Sequence, residues 1–266
     1  MILDDRQKAD FERDGFVVVR QLLGPEEQAS LHAALDRYIR DVVPGLAASH
    51  AFYDDRSRPE TLKQLQHMGT DVFFQAYRRH PRWCLLATSL LGEPVEAQEP
   101  EWFNKPPGTN HVTPPHQDNY YFNLVPPRVV TIWMALDRVD RENGCLRYVA
   151  GSHRRGFRPH DQSRVLGFSQ GITDYGDDDF AREVEIHLAP GDVVVHHGMT
   201  IHRAEANQSI DRQRRAFAMV FRGESCRRDE ERFAAYQAAL GRQHAELGLH
   251  GKAASPVCSD RDRQVS

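Results

Sequence analysis

The sequence predicts an α+β fold that is mainly β and antiparallel, and three observations lead there. Apolar residues at helical spacing are confined to the first 94 positions and to a stretch after 229. From about 95 to 225 the chain changes to short β-branched or aromatic runs, each bounded by Gly, Pro, Asn or Asp. No long amphipathic helix separates those runs, so an antiparallel sandwich or barrel with helices on one sheet fits.

The elements follow in order. Residues 4–14 are polar with Phe11 on one side, which predicts a short helix, and Asp14-Gly15 breaks it before the β-branched run Phe16-Val17-Val18-Val19. Gly24-Pro25-Glu26-Glu27 places Pro and acids in a first helical turn, and Leu31, Leu35, Tyr38, Ile39 and Val42 continue one apolar face. Residues 54–60 read as a loop. The stretch 61–79 reads as partly helical, with Leu62, Leu65, Gln66, Val72, Phe73 and Tyr77 toward a core, and 83–91 as a third helix ended by Gly92-Glu93-Pro94.

The clearest strands are 99–104, 129–136, 145–149, 183–187, 192–197 and 214–222. Asn143-Gly144 and Pro190-Gly191-Asp192 supply turns that tolerate unusual φ. Residues 162–181, rich in Gly, Asp and Ser, read as an irregular insertion of the kind that covers a site and orders over bound substrate. A last helix is expected over 229–247. The organisation expected is thus one domain over 1–247: N-terminal helices in 1–94, a barrel in 95–225, the C-terminal helix, then a loose polar tail over 248–266.

Composition removes several function classes. A net charge of −4 with scattered arginines leaves no basic footprint for nucleic acid, and no segment approaches a membrane span. Cys84, Cys145, Cys226 and Cys258 lie far apart without a C-x-x-C pair, as expected of thiols in a reducing compartment. The first residues do not form a basic leader followed by an apolar run, so a cytoplasmic location is expected.

His116-Gln117-Asp118 is the stretch that carries chemistry. On an extended segment a histidine and an aspartate two apart point to one face, and imidazole plus carboxylate is two thirds of the facial triad that holds non-haem iron(II). An aromatic cluster surrounds it. Tyr120 and Tyr121 follow the motif and Trp102 precedes it, candidates for holding a substrate amine, and Lys105 is a candidate for an anionic group. Phe122 reads as core packing.

Ordered blocks across residues 10–225 carry a resemblance. They are Phe11-x-x-x-Gly15-Phe16-Val17-Val18, Phe103-Asn104-Lys105-Pro106-Pro107-Gly108, Pro115-His116-Gln117-Asp118 and Ile132-Trp133-Met134-Ala135-Leu136. Glu142-Asn143-Gly144-Cys145-Leu146, Gly151-Ser152-His153, Pro190-Gly191-Asp192, His202 with Asn207, and Arg214-Arg215-Ala216 complete the series. The set resembles the phytanoyl-CoA dioxygenase family of Fe(II)/2-oxoglutarate-dependent oxygenases.

The resemblance implies a double-stranded β-helix, a jelly-roll or cupin-like barrel with the metal at one open end. It implies iron(II), 2-oxoglutarate as cosubstrate and dioxygen, with hydroxylation of a C–H bond and release of succinate and carbon dioxide. The implied metal ligands are His116, Asp118 and His202. His196 and His197 compete for the distal place, but His202 matches the family's block. The arginine that would pair with the far carboxylate of 2-oxoglutarate is Arg214, with Arg215 second and Arg212 taken as a solvated loop charge. Adjacent strand residues face opposite sides, and Phe217, Met219 and Phe221 in phase with Arg215 mark its side as the one beneath the helices. Asn104 is expected near the cosubstrate, and Thr131, heading the next strand, more weakly so.

Because Asp118 fills the position that related halogenases leave open for chloride, the resemblance implies hydroxylation rather than halogenation. No basic groove for a coenzyme A nucleotide is visible, so a small polar or amphipathic metabolite is the expected substrate. The competing readings are a non-enzymatic barrel and a cupin-like metal-binding barrel that does not use 2-oxoglutarate.

Overall fold

The computed structural model describes residues 3–165 and 168–246; the expected tail over 248–266 lies outside the described residues. Helix α1 (Asp5–Asp14) begins with a capping box in which Asp4 and Gln7 satisfy each other's backbone N–H groups. Gly15, at φ 84°, turns the chain into strand β1 (Phe16–Val19). A Cβ at Gly15 would lie 2.4 Å from both His153 Nδ1 and Thr200 Oγ1, so this approach excludes any side chain. Helix α2 (Pro25–Asp41) buries Leu31, Ala34, Leu35 and Tyr38.

The next stretch departs from expectation. β2 (Ala51–Tyr53) pairs with β3 (Leu62–Leu65), so Leu62 and Leu65 lie on a strand, and the helical part is a 3-10 turn (Met68–Thr70) followed by α3 (Val72–Arg78). Two leucines three apart suit a helix face or a twisted strand, and pairing of β3 with a later strand decides it. In α3 Phe74 is buried and Val72 faces outward. Helix α4 (Pro81–Leu91) buries Trp83, Leu86 and Ala87 and ends at Gly92 in the left-handed region. Residues before 95, expected to supply helices and one strand, therefore supply three strands.

β4 (Val95–Ala97), β5 (Glu101–Lys105) and β6 (Thr113–His116) lead to the short helix α5 (Asn119–Phe122). β7 (Leu124–Val125), β8 (Val129–Ala135), β9 (Leu146–Val149), β10 (His160–Val165) and β11 (Phe168–Ile172) precede α6 (Asp177–Phe180). β12 (Glu183–Ile186), β13 (Val193–His197), β14 (His202–Ala204), β15 (Arg214–Gly223) and β16 (Arg227–Arg228) lead to α7 (Glu230–Glu246).

Among the described residues, the larger sheet runs β1-β13-β8-β15-β5-β3-β2, with β4 also on β15, and the smaller runs β12-β9-β14-β6. All pairs are antiparallel, as in the expected jelly-roll. The stretch 162–181 is not irregular: it carries most of the β10–β11 hairpin and α6. The polar sequence of β10, His-Asp-Gln-Ser-Arg-Val, lacks the alternation that marks a strand over a core.

Both faces of the larger sheet are covered, which is why β8 is buried at every position. Val130, Ile132 and Met134 pack outward with Phe217, Met219 and Phe221 of β15 against α2, α3 and α4. Trp133, Ala135, Ala216 and Ala218 point inward toward Leu146 and Tyr148 of the smaller sheet. Alanines on the inner face leave room that larger side chains would fill, and the barrel encloses a cavity of about 260 Å³. Among the described residues no helix is long and apolar enough to cross a membrane.

Candidate metal centre and its pocket

β6 and β14 pair with His116 directly opposite His202, and their ring centroids are 4.1 Å apart. Asp118 joins them by a route that strand alternation does not describe. It lies past the end of β6 with φ −56° and ψ −38°, at the entry to α5, so the chain turns to bring it beside His116. The buried Gln117 amide fixes that turn, donating to Gly156 O and Met199 O while its Oε1 accepts from Arg158 N. Asp118 Oδ1 ends 3.4 Å from His116 Nε2 and 3.5 Å from His202 Nε2.

The tautomers follow from the partners. His116 Nδ1 donates to Pro114 O at 2.8 Å and His202 Nδ1 to Thr200 O at 3.0 Å; a carbonyl can only accept, so each Nε2 keeps its lone pair. Thr131 Oγ1 and His196 Nε2 donate to Asp118 Oδ2 at 2.5 and 2.9 Å. The Tyr148 hydroxyl donates to His196 Nδ1 at 2.8 Å, completing a relay that orients the carboxylate and leaves Oδ1 toward the two histidines. Burial acts to raise the Asp118 carboxyl, but the His202 and His116 imidazoles facing it and the hydrogen bond from His196 outweigh it and hold the group well below the usual carboxylate range. Burial pushes His202 well below the usual imidazole value, with the His116 charge adding to it. Among the described residues the carboxylate oxygen and the two ring nitrogens lie within 4.8 Å of one another, as a metal ion requires. A second such group, Cys145, Glu185 and His187, is less suited, because Arg141 and Arg147 already hold the Glu185 carboxylate.

The same cavity contains a guanidinium with no counter-ion among the described residues. Arg214 opens β15 on its inner face, 4% exposed, with its Nε lacking any partner and its guanidinium carbon 5.6 Å from the Trp133 ring centre. Burial lowers its pKa to about 10. Lys105 pairs with Arg214 in register and its Nζ donates to His111 O at 2.7 Å. Burial, then the Arg214 and Lys63 charges, push that ammonium well below its ordinary value. The neighbouring Arg215 faces the other way and holds Asp137 through two nitrogens, at 3.0 and 2.7 Å. Arg212, expected as a solvated charge, is ion-paired with Asp140 and Glu142.

Other expected site residues are placed differently. Asn104 borders the cavity, but its amide donates to Gln213 Oε1 and Leu62 O, so it ties β5 to its surroundings. Thr131 serves the Asp118 carboxylate. Trp102 is no pocket residue: strand alternation turns it into the core beneath the helices, 3% exposed. Tyr120 stacks on His160 outside the cavity wall, with ring centres 3.9 Å apart. Tyr121 does line the cavity, its ring 5.7 Å from that of His116 and its hydroxyl donating to Gln170 O, and Phe122 joins it on the wall.

Sequence reasoning missed several residues here. His196 was weighed only as a rival ligand, although alternation along β13 with Val194 places it on the inner face. Glu101 and Phe103, in phase with Lys105 on β5, reach the cavity, as do Phe168 of the hairpin and Tyr236 of α7. Tyr236 lies within hydrogen-bond distance of Ser169, and Gln243 donates to Ser163 O, so α7 and the hairpin cover the mouth together.

Comparison with known proteins agrees with this arrangement. The family profile described as "Phytanoyl-CoA dioxygenase (PhyH)" matches residues 11–216. The peroxisomal phytanoyl-CoA dioxygenase of Mus musculus is 29% identical over 230 residues, covering 78% of this chain and 65% of that protein. The Homo sapiens protein is 27% identical over 222 residues, with the same coverages. Among solved structures, EvdO2 from Micromonospora carbonacea var. aurantiaca, complexed with 2-oxoglutarate, superimposes with a TM-score of 0.67 at 28% identity, covering 85% of this chain and 93% of EvdO2. The epimerase SnoN, in complex with Fe3+, alpha-ketoglutarate and nogalamycin RO, shares the fold at a TM-score of 0.70 and 21% identity, over 97% of this chain and 96% of SnoN. With the match running through both sheets and the His116–Asp118–His202 group, the chain belongs to the phytanoyl-CoA dioxygenase family.

Proposed function

We propose that this chain is an iron(II)/2-oxoglutarate-dependent oxygenase that hydroxylates a C–H bond of a small amphipathic molecule. The observation that carries this reading is the buried guanidinium of Arg214, without a counter-ion among the described residues, in the same cavity as the His116–Asp118–His202 group. An unpaired buried charge is costly, and an anionic ligand removes that cost. A dicarboxylate that chelates a metal with one end and meets Arg214 with the other fits both features.

In this reading His116, Asp118 and His202 hold iron(II). Iron with 2-oxoglutarate and dioxygen supplies an oxidant able to take hydrogen from an unactivated C–H bond, with release of succinate and carbon dioxide. The chain's own work is positional. The carbonyls of Pro114 and Thr200 fix the tautomers, while Thr131 and His196 keep Asp118 turned toward the metal. Arg214 matches the far carboxylate in a fork, with Lys105 adding positive charge beside it. Phe103, Trp133 and Phe168 exclude water from the cavity. Asp118 would serve as a ligand where a halogenase needs room for a halide, which favours hydroxylation over halogenation. We read the described strands and helices as one catalytic domain, with Asn104 bracing its wall.

The test is an anaerobic titration of wild type, His202→Ala and Arg214→Ala with iron(II) and 2-oxoglutarate, followed by the visible charge-transfer band of the chelate. The band is expected in wild type, absent in the first variant and weakened in the second. Iron binding without a band in wild type would refute use of 2-oxoglutarate.

A further inference from the structure

The cavity has a second polar end that the cosubstrate does not use. Glu101 and Lys105 lie four residues apart on the inner face of β5, hence about 13 Å apart along the strand. Lys105 sits with Arg214 at the cationic end. Glu101 pairs in register with Ala218, whose methyl group leaves the carboxylate room to face the cavity. No cation lies within ion-pair distance of it among the described residues; its one hydrogen bond comes from Gln64 Nε2 at 3.2 Å. Nearby acids are paired, Glu99 with Arg78 and Asp54 with Lys63. Burial pushes the Glu101 carboxyl up to about 7.

Gln64 is the second, independent sign. It is 3% exposed, lines the same cavity, and its Oε1 is buried without a partner. With Nε2 donating to the Glu101 carboxylate, Oε1 is left as an open acceptor in the cavity. The subsite thus offers two acceptors side by side, a carboxylate without an ion pair among the described residues and an unpartnered amide oxygen. Aromatic rings stand around it: Tyr121 and Tyr236 are 5.9 Å apart edge to face, and Phe168 lies between the metal group and Phe103. Acceptors beside π-faces suit a group with positive charge and several N–H bonds.

We propose that Glu101 and Gln64 recognise the substrate, and that the substrate carries a basic nitrogen, ammonium or amidinium, on a compact apolar frame. This rests on the oxygenase reading for the site as a whole. Glu101 ion-pairs with the nitrogen, Gln64 Oε1 accepts a second N–H, and the apolar frame lies toward Phe168 and the metal group. An anionic substrate group is excluded from this end, as it would meet Glu101.

Three probes of similar shape test it: cyclohexylmethylammonium, cyclohexylmethanol and cyclohexanecarboxylate, titrated calorimetrically into protein loaded with Ni(II) and 2-oxoglutarate. The ammonium probe is expected to bind at least 10-fold more tightly than the alcohol, and the carboxylate more weakly than both. Glu101→Gln should abolish the preference while the alcohol binds as before, and Gln64→Leu should reduce it by a smaller factor. The chelate band with iron(II), measured in parallel, should be unchanged in Glu101→Gln, which shows a folded site. Equal affinities, no binding of the ammonium probe, or a preference surviving Glu101→Gln would overturn the subsite. A missing band with the ammonium preference intact would instead overturn the 2-oxoglutarate reading and leave the subsite standing.

Discussion

The two faces of the larger sheet take the same residue types and give them opposite fates. Arg214 and Arg215 are neighbours, yet the first lies in the cavity without a counter-ion among the described residues and the second grips Asp137 on the other face. His196 and His197 divide in the same way: one donates to Asp118, the other packs beside Phe11 and His153. Residue type therefore says little here, and position along the pleat says most. On the outer face Arg215 is ion-paired, whereas the inner face keeps a guanidinium and a carboxylate without an ion pair among the described residues.

The sharpest way to break this contrast is Arg214→Met. The affinity for 2-oxoglutarate of the nickel-loaded protein should fall by about 3–4 kcal/mol, a few hundred-fold, by calorimetry. The ligand-free variant should melt no lower than wild type, since an unpaired buried charge has been removed. His196→Leu comes next, with iron affinity reduced about 10–100-fold because Asp118 loses one of the donors that orient it. Competition with a chromophoric chelator would measure it.

On the outer face His197 supplies a pH signature. Burial, with the charges of His153 and His196, lowers its pKa from the model-peptide value of 6.5 to about 4. The unfolded chain therefore takes up a proton that the folded chain does not. Stability present at neutral pH is lost as pH falls from about 6.5 toward 4, on the order of 2 kcal/mol. Urea midpoints at pH 7.5 and pH 5 should differ less in His197→Gln than in wild type. Arg215→Met should have the smallest effect, at most about 1 kcal/mol of stability from a half-exposed pair, with 2-oxoglutarate binding unchanged. A change in that binding as large as the one at Arg214 would remove the distinction between the faces.

The pleat is also what made much of the molecule legible. Phe217, Met219 and Phe221 in phase with Arg215 identify the covered side of β15, and the structure places Arg214 in the cavity accordingly. Alternation failed where the backbone leaves the regular strand. Asp118 reaches His116 through a turn, and the hairpin at 160–172 shows no apolar period because it roofs a cavity. Leu62 and Leu65 are on a strand because β5 lies beside them, a fact no local window contains. Nothing in the local sequence distinguishes Glu101 from any other acidic residue on a strand. Its significance lies in its lacking an ion-pair partner among the described residues, which only the folded chain reveals.

The register that sets His116 opposite His202 also fixes an order of events. These two histidines are brought together by the β6–β14 pairing, across 86 positions of chain (202 − 116), so neither half of the molecule contains the site. A one-residue slip in that ladder would turn His202 to the far face. A nascent or half-folded chain thus presents isolated imidazoles, which hold ferrous iron weakly. In the oxygenase reading, the site that would hold iron exists only once β6 and β14 have paired, so loading would follow closure of the barrel.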